Sequence, residues 1–267
     1  VGSEMCIRDR HHLAESMKLA YADRSRYLGD PDFVDVPTAE LIDPAYADRL
    51  RKLIRPDRAT PSVDILPGRA LQPESNDTTH YNVVDRHGNV VSNTYTLNAS
   101  FGSRIAVPGT GILLNNEMPD FALRPGHPNL FGLVQGEAHA IAASRRPVSS
   151  MSPTIVFRDG KPWLATGSPG GSRIINVVLQ VLLNTIVFDM NIATAGVAPR
   201  IHHQWLPDVM QAEQGISPDT VRLLEAMGHV VEQSDRTFGR TQSIARENGR
   251  LYGATDTRRP QGWVAGY

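Results

Sequence analysis

Thr78-Thr79-His80-Tyr81-Asn82-Val83-Val84, then Asp85-Arg86-His87-Gly88-Asn89, then Val90 to Leu97, is the stretch on which the reading of the fold turns. Thr79, Tyr81 and Val83 alternate with His80, Asn82 and Val84, a period of two that suits a strand and not a helix. The glycine-containing turn sends the second run back beside the first, so the stretch reads as an antiparallel hairpin. What precedes it is of another kind. Residues 55–77 carry Pro56, Pro61, Pro67 and Pro73 with Gly68, Ser75, Asn76 and Asp77, a composition that describes an extended connector. The strand therefore opens abruptly at Thr78.

Outward from this point, two further hairpins are marked by their turns. Asp159-Gly160 joins Thr154–Phe157 to Trp163–Thr166, and Asn248-Gly249 joins Ser243–Arg246 to Leu251–Ala254. Helices intervene. Leu13, Met17, Ala20 and Tyr21 recur at helical spacing over His12 to Tyr27. Asp43 as cap and Pro44 at the first position start a second helix, reaching about Ile54. Ser172 to Val187 is apolar nearly all round, which predicts burial between layers. Ser217-Pro218-Asp219 begins a helix that Gly228 closes. Antiparallel hairpins interleaved with buried helices predict a layered α+β fold and not a parallel βαβ sheet.

The 267 residues are 40% hydrophobic and 21% charged, with a formal net charge of −1. Such a balance gives no reason to expect nucleic acid or a membrane surface as partner. The longest apolar segment is too interrupted to span a bilayer. Cys6 is the one cysteine, so neither a disulfide framework nor a cysteine metal site is expected, and the nine histidines show no metal spacing. No metal and no cofactor is expected. Residues 1–10, VGSEMCIRDR, fit no signal pattern and read as a non-native leader; residues 11–77 then form a first segment ending in the connector, and residues 78–267 the second.

Four places could carry chemistry. Thr78 is either the plain start of a strand or a nucleophile, and the second reading needs a base beside it. Its own α-amino group, with a pKa of about 7.7–8.0, would serve once a cut after Asp77 frees it. Thr166-Gly167-Ser168-Pro169-Gly170-Gly171-Ser172 is either a Gly-rich turn, a phosphate site, or a loop whose N–H groups meet a developing oxyanion at a helix start. Ser149 and Ser150 are ordinary loop residues or donors to a carboxylate. Glu117 and Asp120 are a solvated acidic turn or the seat of an ammonium group.

ESNDTTHYNVVD, TYTLNASFG, GILLNNEMPDF, RRPVSSMSPTIV, TGSPGGSRI, APRIHHQWLPD and the terminal AGY together resemble the γ-glutamyltransferase (glutathione hydrolase) family, bacterial branch, in its order and spacing. The resemblance implies an N-terminal-nucleophile hydrolase: an αββα sandwich of four layers, here incomplete at its N-terminus, made as a precursor that cuts itself between Asp77 and Thr78. Residues 11–77 would then be the end of the large subunit, and 78–267 the small, catalytic subunit that pairs with it. By motif position the resemblance makes Thr78 the nucleophile, Thr96 its orienting partner, and Gly170 and Gly171 the oxyanion hole. Asn98, Glu117 and Asp120 fall where the substrate α-amino group is held, Ser149 and Ser150 where the α-carboxylate is held. Phe131, within a segment like the family's lid loop, stands where tyrosine is common, and Asp77 where glutamine is common. No arginine here matches the family's carboxylate clamp.

The implied activity is cleavage of glutathione and other γ-glutamyl compounds through a Thr78 acyl-enzyme, with transfer to water, amino acids or dipeptides, in the periplasm or outside the cell. A glutaryl or cephalosporin-type acylase of the same fold is the alternative enzyme. An inert fragment, or a pseudoenzyme working as a binding module, is the non-enzymatic one.

Overall fold

The structure is a computed structural model that describes residues 5–65, 78–259 and 262–267. Asp77 and most of the connector therefore lie outside the described residues. The chain opens with helix α1 (Ile7–Tyr27), followed by α2 (Thr38–Leu41), α3 (Pro44–Arg51) and α4 (Ser62–Ile65). The start of α1 differs from the expectation at His12. Met5 and Ile7 join Leu13 and Met17 in one apolar cluster, so the helix gains buried surface by beginning five residues earlier. Asp43 caps α3 as the sequence predicts, its carboxylate accepting from the Ala45 N–H at 2.8 Å.

The hairpin of β1 (Thr78–Val84) and β2 (Val90–Thr96) forms its own two-stranded sheet, in register from Thr78 opposite Thr96 to Val84 opposite Val90. Strands β3 (Thr154–Arg158), β4 (Lys161–Gly167), β8 (Gln242–Glu247) and β9 (Arg250–Thr255) make an antiparallel sheet in the order β3-β4-β8-β9. The hairpin lies across β4 and β8. Its inner face supplies polar ties: Asn82 Nδ2 donates to the Gln242 carbonyl at 2.8 Å and Ser92 Oγ to that of Thr166 at 3.3 Å. His80 is wedged between, taking the Thr94 hydroxyl on Nδ1 at 2.7 Å and facing Asn82 Oδ1 with Nε2 at 3.2 Å. Burial lowers its pKa and keeps the ring neutral. A side chain at Gly167 would collide with this ring, which is why glycine ends β4.

Helices α5 (Ile174–Ile186) and α6 (Ile192–Val197) cover the other face of the four-stranded sheet. Val181 and Ile192 pack there against Leu164 and Ala245. The described residues thus build three layers: helices, sheet, hairpin. The outward face of the hairpin, with Tyr81, Val83, Val91 and Tyr95, is exposed. So is one side of α5 at Leu179, Ile186 and Val187, where burial all round was expected. Its sequence is apolar enough for two packed faces, and only one meets the sheet.

A third sheet of β5 (Ile201–His202), β6 (Met210–Glu213) and β7 (Val231–Ser234) has α7 (Pro218–Ala226) beside β7 and pairs β6 with β7 in parallel. That parallel pair was not foreseen. Ser217 caps α7 through its hydroxyl, which accepts from the Thr220 N–H at 3.2 Å. Helix α1 runs against this sheet and α7, and a second cluster of Tyr21, Ala22, Phe131, Leu133 and Trp205 joins it to the floor of the cleft described next.

Candidate active site

Strand pairing alone brings Thr78 and Thr96 together, because they are opposite partners at the open end of the β1–β2 ladder. The Thr78 hydroxyl donates to Thr96 Oγ1 at 3.2 Å, and the Asn98 N–H donates to the same oxygen at 2.8 Å. Asn98 reaches that point by a left-handed turn, φ 74°, a conformation asparagine tolerates. Its side-chain amide donates to the Asn116 carbonyl at 2.9 Å, and Asn116 Oδ1 accepts the Ala99 N–H at 2.9 Å. The residues after β2 are thereby fastened to the acidic turn.

Thr78, Thr96 and Asn98 line a cleft of about 360 Å³, open mouth included. One wall is the loop between β4 and α5. Gly171 borders the cleft, and the preceding Gly170 (φ 139°) packs on Gly239, whose Cα would lie 3.3 Å from a Cβ added at Gly170. Both glycines have backbone angles that side chains disfavour. Buried bonds hold the loop. The Tyr21 hydroxyl donates to the Ser172 carbonyl at 2.5 Å, Ser172 Oγ donates to Gln204 Oε1 at 2.7 Å, and Ser168 Oγ accepts the Arg240 N–H at 2.9 Å. Behind Gly239, an enclosed network of Arg200, Glu213, Asp256 and Arg258 fixes the strand-to-strand segment, with the Phe238 carbonyl accepting from Arg200 at 3.0 Å.

The opposite wall is irregular chain carrying Ser149 and Ser150, closed below by Phe131 and Leu133. Asp120 enters at the end of a single 3₁₀ turn, Met118–Asp120. Its carboxyl is pushed up to about 7, first by burial, then by the adjoining Glu117 carboxyl, with Arg24 pulling the other way. Glu117 is raised too, by burial. Two carboxyls in hydrogen-bond contact cannot both ionise cheaply, so the pair favours a cation between or beside them.

Arg24 is the residue that sequence reading missed. It projects from α1 into the cleft lining, buried, with Nη2 donating to Ser150 Oγ at 3.2 Å and facing the Val148 carbonyl at 3.5 Å. Burial lowers its pKa, yet a guanidinium stays protonated from so high a starting value. A signal was present: Leu13, Met17, Tyr21 and Arg24 share the helical stripe that faces the core, and a cation on such a stripe calls for an anionic partner. The Arg24 carbonyl also takes the Nε2–H of His139 at 3.0 Å. His139 Nδ1 in turn accepts from Gln135, whose amide reaches the Asp120 carbonyl at 3.3 Å. Burial holds that histidine near 4, hence neutral, as this pairing requires.

Of the sequence-predicted residues, Thr78, Thr96, Asn98, Asp120, Phe131, Ser149, Ser150 and Gly171 line one cleft. Gly170 and Glu117 are not among the lining residues but adjoin them, Gly170 next to Gly171 in the chain and Glu117 through its carboxyl contact with Asp120. His202 and His203 are buried, bonded to Asn176 and Gln204 and to Asp208 respectively.

A layered α+β fold, with a threonine opening its inner strand at a polar cleft, is the scaffold of the N-terminal-nucleophile hydrolases. The γ-glutamyltranspeptidase family profile matches residues 2–266. The glutathione hydrolase proenzyme of Escherichia coli (strain K12) is 55% identical over 256 residues, 96% of this chain and 44% of that protein. A solved threonine-to-alanine variant of Helicobacter pylori γ-glutamyltranspeptidase is 50% identical with a TM-score of 0.65, covering 68% of this chain and 100% of that one. Cephalosporin acylase from Bacillus halodurans superimposes with a TM-score of 0.77 at 27% identity, over 94% of this chain and 44% of that one. The chain belongs to the γ-glutamyltranspeptidase family. It spans a little under half the length of the curated relatives it matches.

Proposed function

We propose that the protein of which this chain is part cleaves γ-glutamyl bonds, glutathione foremost, through an acyl-enzyme on Thr78. The observation that carries the reading is the division of one cleft into three chemistries. A paired threonine hydroxyl, a carboxyl backed by a second one, and two serines with a guanidinium all meet there. A γ-glutamyl group has matching parts: an ammonium, a carboxylate, and a carbonyl two methylenes away.

The chemistry starts with processing. The Thr78 hydroxyl adds to the Asp77 carbonyl, the peptide nitrogen leaves as the free amine of Thr78, and water hydrolyses the resulting ester. The freed amine has the basicity to take the hydroxyl proton. In turnover Thr78 Oγ adds to the γ-carbonyl, the amine receives the proton, and Thr96 orients the oxygen. The N–H groups of Gly170 and Gly171 meet the oxyanion, where a donor is typically worth roughly 10²–10³ in rate. The proton passes to the leaving amine of cysteinylglycine. Water, an amino acid or a dipeptide then takes the glutamyl group. Asp120, with Glu117 and Asn98, receives the ammonium; Ser149, Ser150 and Arg24 receive the carboxylate; Phe131, buried in the floor of the cleft and not placed over it as a lid, packs beneath the bound group. The two pieces remain together as large and small subunits, in the periplasm or secreted.

The test uses the full-length precursor. Mass and N-terminal sequence after incubation should show a new chain beginning at Thr78. Thr78→Ala should abolish both the cut and turnover, a loss of at least about 10³-fold, and Thr78→Ser should keep part of each. Normal processing in Thr78→Ala would end the assignment. A second reading, a glutaryl-type acylase, has the likeness to cephalosporin acylase in its favour. Against it, glutaryl groups lack the ammonium that Asp120 suits. Preference for a glutaryl over a γ-glutamyl anilide would favour the acylase.

A further inference from the structure

The wall that carries Ser149 and Ser150 has no regular secondary structure from Arg146 to Pro153, and its internal bonds are short-range. What fixes it in space must come from outside. Besides Arg24, the structure supplies one strong tether at its root. Asp30, just after α1, presents a carboxylate whose side chain is 1% exposed. Arg146 saturates it. The Arg146 N–H and Nε donate to Oδ2 at 2.8 and 3.0 Å, and Nη2 donates to Oδ1 at 2.5 Å. The Asp32 N–H completes the shell on Oδ1 at 3.2 Å, and Asp32 Oδ2 takes Arg146 Nη2 at 2.5 Å.

Most surface ion pairs contribute little because both partners stay solvated and mobile. This one differs. The acid is buried, and a main-chain N–H shares the carboxylate with the guanidinium, so the contact fixes backbone as well as side chain. Bidentate, charge-assisted bonding of this kind adds direction to strength. The backbone next to Asp30 is closely packed: a side chain added at Gly29 would collide with the Ala138 carbonyl and Val34.

We propose that Asp30 is a positioning residue for the carboxylate end of the donor substrate, acting through Arg146 to set Ser149 and Ser150 against the cleft. The proposal rests on the γ-glutamyl reading of the cleft. Asp30 precedes the proposed cut and Arg146 follows it, so the clamp joins the two pieces after processing. It places one determinant of donor binding on the large-subunit piece, outside the cleft lining. The clamp predicts a separation of binding from chemistry. Loosening it should blur the carboxylate subsite while leaving Thr78, Thr96 and the glycine loop untouched.

The experiment uses full-length, processed protein carrying Arg146→Gln, Arg146→Lys, Asp30→Asn, or Arg146→Gln with Asp30→Asn. Hydrogen–deuterium exchange of the amides of residues 148–152 reads the loop directly, with no substrate present. Steady-state kinetics compare a γ-glutamyl anilide with a 4-aminobutanoyl anilide, which keeps the amine and lacks the carboxylate. Expected results are faster exchange in Arg146→Gln, a KM for the γ-glutamyl donor raised about tenfold, and kcat within about threefold. The KM for the 4-aminobutanoyl donor should stay near its starting value. Arg146→Lys should fall between, and the double variant should be no worse than the worse single one, because both break one contact. Unchanged exchange at 148–152, an equal KM rise for both donors, or additive single effects would each overturn the proposal. Wild-type protein without γ-glutamyl turnover would refute the reading of the cleft, and the exchange data would still decide whether Asp30 positions the loop.

Discussion

The two walls of the cleft are built on different principles. The glycine loop, Gly167 to Ser172, is held by buried, largely neutral hydrogen bonds: Tyr21 to the Ser172 carbonyl, Arg240 N–H to Ser168, and Thr166 to Ser243 at 2.8 Å. Thr166, Ser168 and Ser172 are wholly buried. The serine loop is half-exposed and depends on two guanidinium groups: Arg24 reaches it from α1, and Arg146 at its root reaches out to Asp30. In the proposed reaction the first wall meets charge only in the transition state and must not reorganise when that charge appears. The second would receive a charged ground-state group, which needs direction and sign more than rigidity. The difference teaches that damage to the first should appear in kcat and damage to the second in KM.

The largest break in that comparison should come from Gly170→Ala. The residue sits at φ 139° with Gly239 pressed behind it, so an added methyl displaces the loop. A kcat loss of roughly 10²–10³-fold with KM changed little is expected in steady-state assays of processed enzyme. A rise in KM alone would erase the distinction between the walls. Tyr21→Phe is a gentler probe of the same wall, removing one buried hydroxyl and no volume. Loss of that bond should lower kcat about tenfold and stability by about 1–2 kcal/mol in urea unfolding.

The smallest effect concerns the carboxyl pair. Asp120 has its folded pKa raised to about 7, so the neutral form is favoured by folding. Its contribution to stability is complete below the unfolded value near 3.8 and is lost as pH rises through 7. Asp120→Asn mimics the neutral form. The variant should match wild type near pH 4 and exceed it by on the order of 1 kcal/mol at pH 8, by thermal or urea unfolding, while losing γ-glutamyl binding. A variant less stable than wild type at pH 8 would show that the carboxylate is satisfied in the free site.

Local chemistry was legible wherever neighbours in sequence were neighbours in space. The Asp-Gly and Asn-Gly turns located β3–β4 and β8–β9, alternation located β1–β2, and Asp43 and Ser217 marked helix starts. Legibility failed where partners are remote. Strands β6 and β7 pair in parallel across an intervening helix, and four residues apiece are too few to show a period. The early start of α1 escaped because Met5 and Ile7 gain their value only from packing. Arg24 and Asp30 find their partners more than a hundred positions away, which no local pattern shows.

The sequence by itself therefore determined the kinds of group available: a threonine after a connector, a glycine loop at a helix start, paired acids, paired serines. Those follow from residue identity and from turn and strand preferences that act over a few positions. Convergence was decided only by the tertiary structure, which lays the hairpin across the four-stranded sheet and runs α1 beneath the cleft. It alone fixed the protonation tendency of Asp120 and the partners of Arg24 and Arg146, because burial and long-range charge pairing are properties of the assembled chain.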